Sequence, residues 1–483
     1  MDFTTYNPAT DSLASLVTAI FTSSAGASVL PGSITALTGL PPGEASTIAF
    51  YNGSITQLHI GAGLMLTNGD PTPPNSNTSD SYGVDAGGTG TDADLQATVT
   101  AAFPGAGALH DVTYLQFHIN ITDPNVTGLR FDVVFGSDEY PEYSNSSYVD
   151  VAGVYVNGVN YALFNNDPLK PLSVVQANID AHNFISNTGQ IPIEYDGITI
   201  PLQVTAAVHL GDNVIKIAIA DTGDSIYDSS IFVSGMQAVN YQGFGLSQQV
   251  AVTGPAEVDD TDGNQTYNGD AFANLIKLIG GHDVVDGGGG VDKVIINYLL
   301  TSYNWNGLEL NLFGVNGNSC QLVNVERVKL AQYGGAVIAL DTNPGGNAFG
   351  VMALFDAALG EVLSTSSTLP YLELAQAPVS QWIAFADHES ALGHGLGNVA
   401  QAMLNQYAPG VSNTTLIGLM YHNIFGTDAS ASFINFVASK VGTPMFPTMG
   451  DLFATAALLP ENIADLSDAG FTGSILLLDP AFF

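Results

Sequence analysis

The sequence predicts a multidomain protein: an N-terminal antiparallel β-sandwich, a short β-roll and a C-terminal all-α module. Three observations support this order. Apolar residues alternate at period two over about residues 10–240, a nine-residue glycine repeat fills residues 259–296, and helical periodicity begins near residue 347. The chain has 483 residues, which fits about three domains of ordinary size. We therefore place the domains at residues 1–240, 241–342 and 343–483.

The sandwich is predicted from many short alternating segments, such as residues 113–119 and 213–219. Turn signals, including Asn157-Gly158, separate these segments. Many short strands with such turns are typical of an antiparallel sandwich. Residues 67–92 are rich in Pro, Asn, Ser, Gly and Asp, so they are expected to form a long surface loop.

The glycine repeat predicts the β-roll. Residues 287–295 match the pattern G-G-x-G-x-D-x-U-x in full. Stepping back nine residues at a time keeps the inner position filled, and the acidic position becomes less acidic toward the N-terminus. The inner residues are Val294, Val285, Ile276 and Tyr267, and the residues at the acidic position are Asp292, Asp283, Asn274 and Gln265. The repeat therefore predicts a small roll of about two turns.

A roll of this kind suits calcium. Glycine permits the left-handed backbone of each tight turn, and Asp side chains with exposed carbonyls form an oxygen cage between windings. Neighbouring turns on one side lie 18 residues apart, which pairs Asp292 with Asn274 and Asp283 with Gln265. We expect the first pair to form the better cage. The alternative is a linker rich in Gly and Asp.

The charge balance excludes several partners. The chain has 34 Asp, 11 Glu and only 8 Lys plus Arg, giving a net charge of −37. Such a chain would be repelled by nucleic acid and by anionic lipid. It would also repel itself, and bound divalent cations would relieve that repulsion. The alternative is charge that serves solubility alone, as in salt-adapted proteins.

A second group of carboxylates predicts a second calcium site. Asp138, Glu139 and Asp150 form one part of it, and a cluster with the spacing Asp-x-x-Asp-x-x-x-Asp forms the other. That cluster consists of Asp221, Asp224 and Asp228. The alternative is turn residues that cap local amides. A glycosidase would use Glu139 with one Asp, but nothing marks a sugar cleft.

Other chemistry is not expected. Cys320 is the only cysteine, so an intramolecular disulfide and a zinc site built on several cysteines are excluded. The N-terminus has no basic segment typical of a cleaved leader, and no apolar run is long enough to span a membrane. His388 and His394 are six residues apart, not the four of a zinc-protease helix. We expect a non-enzymatic protein.

The C-terminal module contains two similar halves. Residues 354–360 resemble residues 420–426, and each segment precedes a helix with a pair of aromatic residues. The pairs are Trp382/Phe385 and Phe433/Phe436. We predict that both pairs lie in the helical core.

Three resemblances agree with this reading. Residues of about 10–240 resemble the choice-of-anchor L domain of bacterial surface proteins, on the stretches 63–69, 134–140 and 219–229. Residues 259–342 resemble the repeats-in-toxin (RTX) calcium β-roll, with its following Asn-x-Glu-Arg strand at 324–327. Residues 347–470 resemble, more loosely, a helical domain of unknown function that occurs in the same secreted proteins.

The resemblances imply secretion through a type I channel, with an uncleaved signal in the apolar and acidic end at residues 475–483. They favour a secreted calcium-binding surface protein that assembles with copies of itself into a surface layer or filament. One alternative is a calcium-dependent adhesin or carbohydrate-binding module that presents residues 67–92 to a cell-surface glycan. The other is a calcium-stabilised secreted hydrolase.

Overall fold

The protein divides into two compact units. The computed structural model describes residues 2–21, 26–88, 90–223, 225–240, 245–261, 263–359 and 378–483. The first unit covers the described part of residues 1–250 together with 263–266, and the second covers the described remainder. A β-rich N-terminal region and a helical C-terminal region confirm the multidomain prediction at that level.

The first unit is built mainly of antiparallel strands. These are β1 (Phe3–Thr5), β2 (Ala27–Val29), β3 (Thr35–Leu37), β4 (Ile48–Tyr51), β5 (Gly63–Thr67), β6 (Leu109–Ile121), β7 (Gly128–Ser137), β8 (Val151–Val156), β9 (Val159–Asn160), β10 (Leu172–Ser173), β11 (Phe184–Ser186), β12 (Gly197–Thr199), β13 (Leu202–Ala207), β14 (Gly211–Thr222), β15 (Ser229–Val239) and β16 (Gly245–Ala251). Its helices are α1 (Leu13–Ile20), α2 (Ala93–Ala102) and α3 (Gln176–Asp180).

Two sheets of this unit share one core. One sheet has the order β1-β4-β5-β15-β7-β13-β16, and the other has the order β10-β8-β14-β6-β2. The long strands β6 and β14 pair antiparallel, which places the buried Phe117 opposite the buried Ile215. These residues belong to the same apolar cluster as Phe131 and Val133 of β7. Inward residues of both sheets thus bury each other, as in a β-sandwich.

The second unit combines strands and helices. Its strands are β17 (Glu257–Asp259), β18 (Gln265–Asn268), β19 (Leu275–Leu278), β20 (His282–Asp286), β21 (Lys293–Ile296), β22 (Leu300–Trp305), β23 (Glu309–Gly314), β24 (Ser319–Val323), β25 (Arg327–Leu330), β26 (Ala336–Ala339) and β27 (Leu476–Leu478). Its helices are α4 (Asn347–Leu359), α5 (Ser380–Ala391), α6 (Leu396–Tyr407), α7 (Asn413–Phe425), α8 (Ala431–Ala438), α9 (Met449–Ala457) and α10 (Pro460–Asp468).

Successive strands of the glycine repeat alternate between two sheets. Strands β17, β19, β21 and β25 pair in parallel, and Ile276 lies opposite Val258 on one side and Val294 on the other. Each of these two steps spans 18 residues, twice the sequence repeat. Strands β20 and β24 pair in parallel in the other sheet. Ile276, Val285 and Val294 are buried, so the inner position of the repeat points into the unit as predicted.

The helices pack against β26 and β27 around a second apolar core, which includes Phe349, Ile383 and Leu476. Trp382 is buried in this core, as predicted. The prediction was wrong for Phe433 and Phe436, which are 43% and 61% exposed. The reason is that α8 has no fully buried residue, because it packs on one side only, through partly buried side chains.

Arg327 ties the sheet of the second unit to its helices. Its side chain is 2% exposed and forms ion pairs with Asp341 and with Asp387 of α5. The guanidinium donates to Asp387 at 3.0 and 2.6 Å, and Asp341 also accepts from the backbone amide of Ala348 in the first turn of α4. One buried cation therefore holds a strand, a loop and two helices.

We predict that Arg327→Met destabilises the second unit by about 3–5 kcal/mol, because it leaves two largely buried carboxylates without a counter-charge. Trp305 and Trp382 are the only two tryptophans, so Trp fluorescence during urea unfolding reports on this unit alone. The matched control is Lys277→Met, which removes a solvent-exposed pairing with Glu257 and Asp259 and should change little. An equal effect of both substitutions would contradict the special role of Arg327.

Candidate functional site

Polar side chains collect where several strands of the first unit end. β5 and β7 end at Thr67 and Ser137, and β15 begins at Ser229, which pairs with Ser137. β14 runs past the start of β8, where Ala220 pairs with Val151. The side chains at these strand ends are Asn68, Asp138, Glu139, Asp150, Asp221 and Asp228, and each is at most 3% exposed.

Asp150 and Asp221 share a single amide donor. The side chain of Asn68 donates to Asp150 at 2.9 Å and also to Asp221, while its oxygen accepts from the Ser229 amide at 2.7 Å. Burial, followed by the negative charge of Asp150, raises the pKa of Asp221 well above its usual range. Two buried carboxylates this close do not both ionise unless a proton or a cation lies with them.

Asp138 is a buried carboxylate among other acidic residues. Its side chain is fully buried, and neither carboxylate oxygen accepts a hydrogen bond of normal geometry. Burial raises the pKa of Asp138 to about 9, and the charges of Asp196, Asp228 and Glu194 add to that rise, although the nearby Asp196 amide opposes it. At neutral pH such a carboxyl is either protonated or paired with a cation.

Asp228 fixes the long loop against these strand ends. Its two oxygens accept from the backbone amides of Asp70 at 2.8 Å and Val84 at 2.7 Å. A Cβ atom at Gly69 would lie 2.0 Å from this carboxylate, so only glycine fits there. Burial raises the pKa of Asp228 to about 7. The loop predicted at residues 67–92 has no regular structure where it is described, yet it is held by a specific carboxylate.

Basic residues do not neutralise this group. Among the residues that the structure describes, no Lys or Arg forms an ion pair with Asp138, Asp221 or Asp228. The basic side chains that form ion pairs do so elsewhere, Lys216 with Asp92 and Asp94 for example. Burial thus concentrates negative charge without an internal counter-charge, which is the condition that favours a bound cation.

The described part of the chain contains no three His, Cys, Asp or Glu side chains that already converge as metal ligands. Calcium, however, takes six to eight oxygens, and many of them are carbonyls, amides or waters. The unpaired oxygens of Asp138 and the crowded Asp150–Asp221 pair supply hard oxygen donors of this type. The residues of the first unit therefore fit calcium chemically.

The glycine-repeat segment presents a second oxygen-lined gap. Asp292 accepts from the Asn274 amide at 2.8 Å through one oxygen, while its other oxygen and the side-chain oxygen of Asn274 are buried without a donor. A Cβ at Gly287 would lie 2.7 Å from Asp292 Oδ2 and 2.2 Å from the Asn324 carbonyl. A Cβ at Gly269 would lie 2.9 Å from Asn274 Oδ1. Glycine therefore keeps this gap open and lined by oxygens.

The raised pKa of Asp292 in the glycine-repeat segment also favours a bound cation. Burial, then the charges of Asp270 and Asp286, raise the pKa of Asp292 to about 7. Asp283 is fully buried on β20 in the other sheet, where it pairs in register with Cys320. Its negative charge contributes to the raised pKa of Cys320, behind burial as the main cause. Asp283 therefore does not lie in the Asp292–Asn274 gap.

The structure brings most of the predicted residues together. Asp138, Glu139, Asp150, Asp221 and Asp228 meet at one edge of the sandwich, with Asp150 donating its amide to Glu139 at 3.0 Å. Asp292 contacts Asn274 across one turn, as the 18-residue step predicts. Asp224 lies outside the described residues.

Sequence reasoning missed Asn68, Glu194 and Asp196. Asn68 ends the Gly-Leu-Met-Leu-Thr-Asn stretch, which supports the family resemblance but does not indicate a site. Asp196 occurs in an Asp-Gly pair, a pattern that indicates a turn rather than a site. Asn68 directly follows β5, and Asp196 directly precedes β12, which pairs with β7, so the pairing of these strands brings them to the cluster and local sequence gives no signal of it.

Comparison with known proteins finds a family match for the first unit. Residues 4–237 match the family model of the choice-of-anchor L domain. The match confirms the resemblance predicted for this part of the chain, and it indicates a secreted or cell-surface protein. None of the described helices is long and apolar enough to cross a membrane.

Other comparisons add little. No curated protein matches the chain significantly. Among solved structures, CBM35 from Cellvibrio japonicus Abf62 is similar at 11% identity, covering 36% of this chain and 98% of that one. Its TM-score is 0.14, so this likeness carries no argument about fold or function.

We predict that the metal-free protein loses stability as the pH rises from about 4 to about 9. The pKa values of Asp138, Asp228 and Asp292 are raised from 3.8 to about 9, 7 and 7, so the folded state holds protons that the unfolded chain has released. Their contribution is complete below the unfolded pKa and disappears as the pH passes each folded pKa. Calorimetry in chelator across this window measures the effect, and a Tm that stays constant or rises would contradict it.

Proposed function

We propose that the protein is a non-enzymatic, secreted surface protein that binds calcium in both units and assembles with copies of itself. The choice-of-anchor L match supports the surface location. The observation that carries the calcium proposal is Asp138, a fully buried carboxylate with no hydrogen bond of normal geometry to either oxygen and with acidic neighbours. A bound divalent cation resolves this arrangement at neutral pH and leaves the fold intact.

In the first unit, calcium would be held by carboxylates of the strand-end cluster. Asp138 provides two oxygens, and Asp228 connects it with the Asp150–Asp221 pair, because the charge of Asp228 acts on Asp138 and the charge of Asp150 acts on Asp228. The proposed ligand set is drawn from Asp138, Glu139, Asp150, Asp221 and Asp228. Bound there, calcium would neutralise the strand ends and fix the loop that Asp228 holds.

In the second unit, calcium would be held in the roll by Asp292 and Asn274 together with turn carbonyls. This proposal extends the RTX resemblance, and the unpaired oxygens of both side chains support it. The roll is short, so we expect weaker calcium binding here than in the first unit. We do not propose Asp283 as a ligand in this gap, because it lies on β20 in the other sheet. Its buried charge would instead be stabilised by calcium bound nearby.

We also propose export through a type I channel with the C-terminal segment as the signal. In the folded protein this segment includes β27, which pairs antiparallel with β26. A chain that carries net charge −37 would stay loosely folded where calcium is scarce, and it would fold once calcium outside the cell binds to it.

We predict that calcium stabilises β7 in the wild type but not in Asp138→Asn. The substitution keeps the shape of the side chain and removes the buried charge, so the metal-free variant should be at least as stable as the wild type at about pH 8. A ligand present at about 100 times its Kd stabilises by about 2.7 kcal/mol, and this increment should disappear in the variant. Hydrogen exchange by mass spectrometry, with and without calcium, measures it.

The matched control is Asp180→Asn, which changes an exposed carboxylate of the same unit that is held by Gln176. It should retain the full calcium effect. If Asp138→Asn retained that effect as well, calcium would not bind at the strand ends. Trp fluorescence in the same samples reports separately on the second unit, so the two proposed sites are distinguished.

Self-assembly needs a surface that tolerates a second acidic chain. We define the α7–α8 surface by Leu419, Phe425, Phe433 and Phe436, which are between 37% and 61% exposed. The rings of Phe425 and Phe433 both contact Tyr421, whose ring centroid lies 4.6 Å from that of Phe425 and 5.3 Å from that of Phe433. Exposed apolar area of this kind marks an interaction site.

Charge favours a second copy as the partner for this surface. Residues 390–450 contain one carboxylate, Asp428, and one lysine, Lys440, although the whole chain carries 45 carboxylates. Two copies with net charge −37 repel each other over most of their surface. Contact between nearly neutral apolar surfaces minimises that repulsion and buries the exposed rings.

We predict that Phe433→Asp combined with Phe436→Asp abolishes assembly without unfolding the chain, because both rings are solvent-exposed and α8 has no fully buried residue. Light scattering with size-exclusion chromatography, and electron microscopy in calcium, give the readout. Leu308→Asp, at a residue of the same unit that is 75% exposed, is the control and should assemble normally. Unchanged assembly of the double variant would exclude this surface.

A further inference from the structure

The first unit contains an open polar cavity of about 400 Å³. Part of its wall comes from the loop after β5, through Asn77 and Asp80, and part from the chain after β7, through Tyr140 and Glu142. Segment 186–189 and Asp196 complete the lining. A volume of this size is in the range of small-molecule sites.

A buried, incompletely paired carboxylate lies in the wall of this cavity. Asp196 is 8% exposed, and one of its oxygens accepts from the Asn77 side chain at 2.6 Å. The other oxygen is buried and has no hydrogen-bond donor. A buried carboxylate oxygen without a donor is costly, so this atom indicates a missing positively charged or donating partner.

The charged side chains that line the cavity are all acidic. Asp80 and Glu142 are exposed lining residues, and Glu194 lies close behind them. Burial is the main cause that raises the pKa of Asp196 to about 6. The charges of Asp80, Glu142 and Glu194 add to this rise, and the hydrogen bond from Asn77 opposes it. No Lys or Arg belongs to the lining. Low-dielectric walls that carry one sign of charge concentrate ligands of the opposite sign.

The walls are rigid before any ligand arrives. The side chain of Asn187 donates to the carbonyls of Ile191, Ile193 and Tyr195 at 2.9–3.1 Å, which fixes the segment beside Asp196. The Tyr140 ring stacks on Phe184 at 6.0 Å between centroids. A preformed cavity loses little entropy on binding.

The size of the cavity favours an organic cation over a bare metal ion. A calcium ion needs six to eight oxygens within about 2.6 Å, whereas the lining carboxylates surround a space many times larger than an ion. An ammonium group offers three donors on a flexible carbon chain, which suits separated acceptors in a cavity of this volume.

We propose that this cavity binds a primary ammonium group, supplied by a lysine side chain of a partner protein or by a free polyamine, with Asp196 as its buried counter-charge. Asn77 orients the Asp196 carboxylate, and Asp80 and Glu142 attract the ligand at the entrance. The site needs no metal, and its counter-charge is Asp196, whose backbone amide lies beside Asp138 of the proposed calcium site.

The test uses the full-length protein in calcium at neutral pH, with calorimetric titration of three probes. These are Nα-acetyl-lysine methylamide, spermidine and the uncharged Nα-acetyl-norleucine methylamide. We expect both amines to bind and the norleucine derivative not to bind. Asp196→Asn should weaken amine binding at least about tenfold, which corresponds to about 1.4 kcal/mol. Thr188→Trp, at an exposed lining residue, should block the cavity without changing its charge.

Controls separate this site from the rest of the molecule. Asp180→Asn should bind both amines as the wild type does. Thr188→Trp, which changes no carboxylate, should keep the calcium-dependent protection of β7, which shows that the fold and the proposed calcium site are intact. If the lysine derivative binds more tightly than spermidine, the ligand is a lysine of a partner protein. If spermidine binds more tightly, the ligand is a polyamine. The proposal would be overturned if the wild type bound no amine, or if Asp196→Asn bound amines as tightly as the wild type does. It would also be overturned if calcium bound in the cavity and excluded the amines.

Discussion

The structure depends on how the fold accommodates carboxylates that it buries without basic partners. The chain has 45 carboxylates and 8 Lys plus Arg. Where a basic residue is buried, it is matched, as Arg327 is by Asp341 and Asp387. At the strand ends of the sandwich and in the roll there is no such match, and burial raises the carboxyl pKa values of Asp138 and Asp292 instead. Protons or external cations must therefore complete the fold at these positions.

This constraint connects stability to location. A protein whose buried carboxylates need a cation is stable where calcium is plentiful and less stable where it is scarce. The choice-of-anchor L match of the first unit indicates a secreted or cell-surface protein. In the proposed assembly, the same negative charge would favour contact through the nearly neutral α7–α8 surface, where a second copy would meet the least repulsion.

Several elements were predictable because their signals are local. The period-two segments gave the sandwich strands, and the nine-residue repeat gave the buried positions of Ile276, Val285 and Val294. The contact between Asp292 and Asn274 followed from counting 18 residues along the repeat. The exposure of Phe433 and Phe436 was not predictable in this way, since helical periodicity shows that a helix has an apolar face but not whether another element covers it.

Sequence alone determined the class of each region, the excess of acid and the residue types at the strand ends, because composition and periodicity are properties of neighbouring residues. Tertiary structure decided which carboxylates share a site. Asn68 reaches Asp150 and Asp221 from 82 and 153 residues away, and Asp196 faces the cavity beside a loop more than 100 residues earlier in the chain. Strand pairing and burial set those distances and the local dielectric, and these two quantities fix the charge that each group carries.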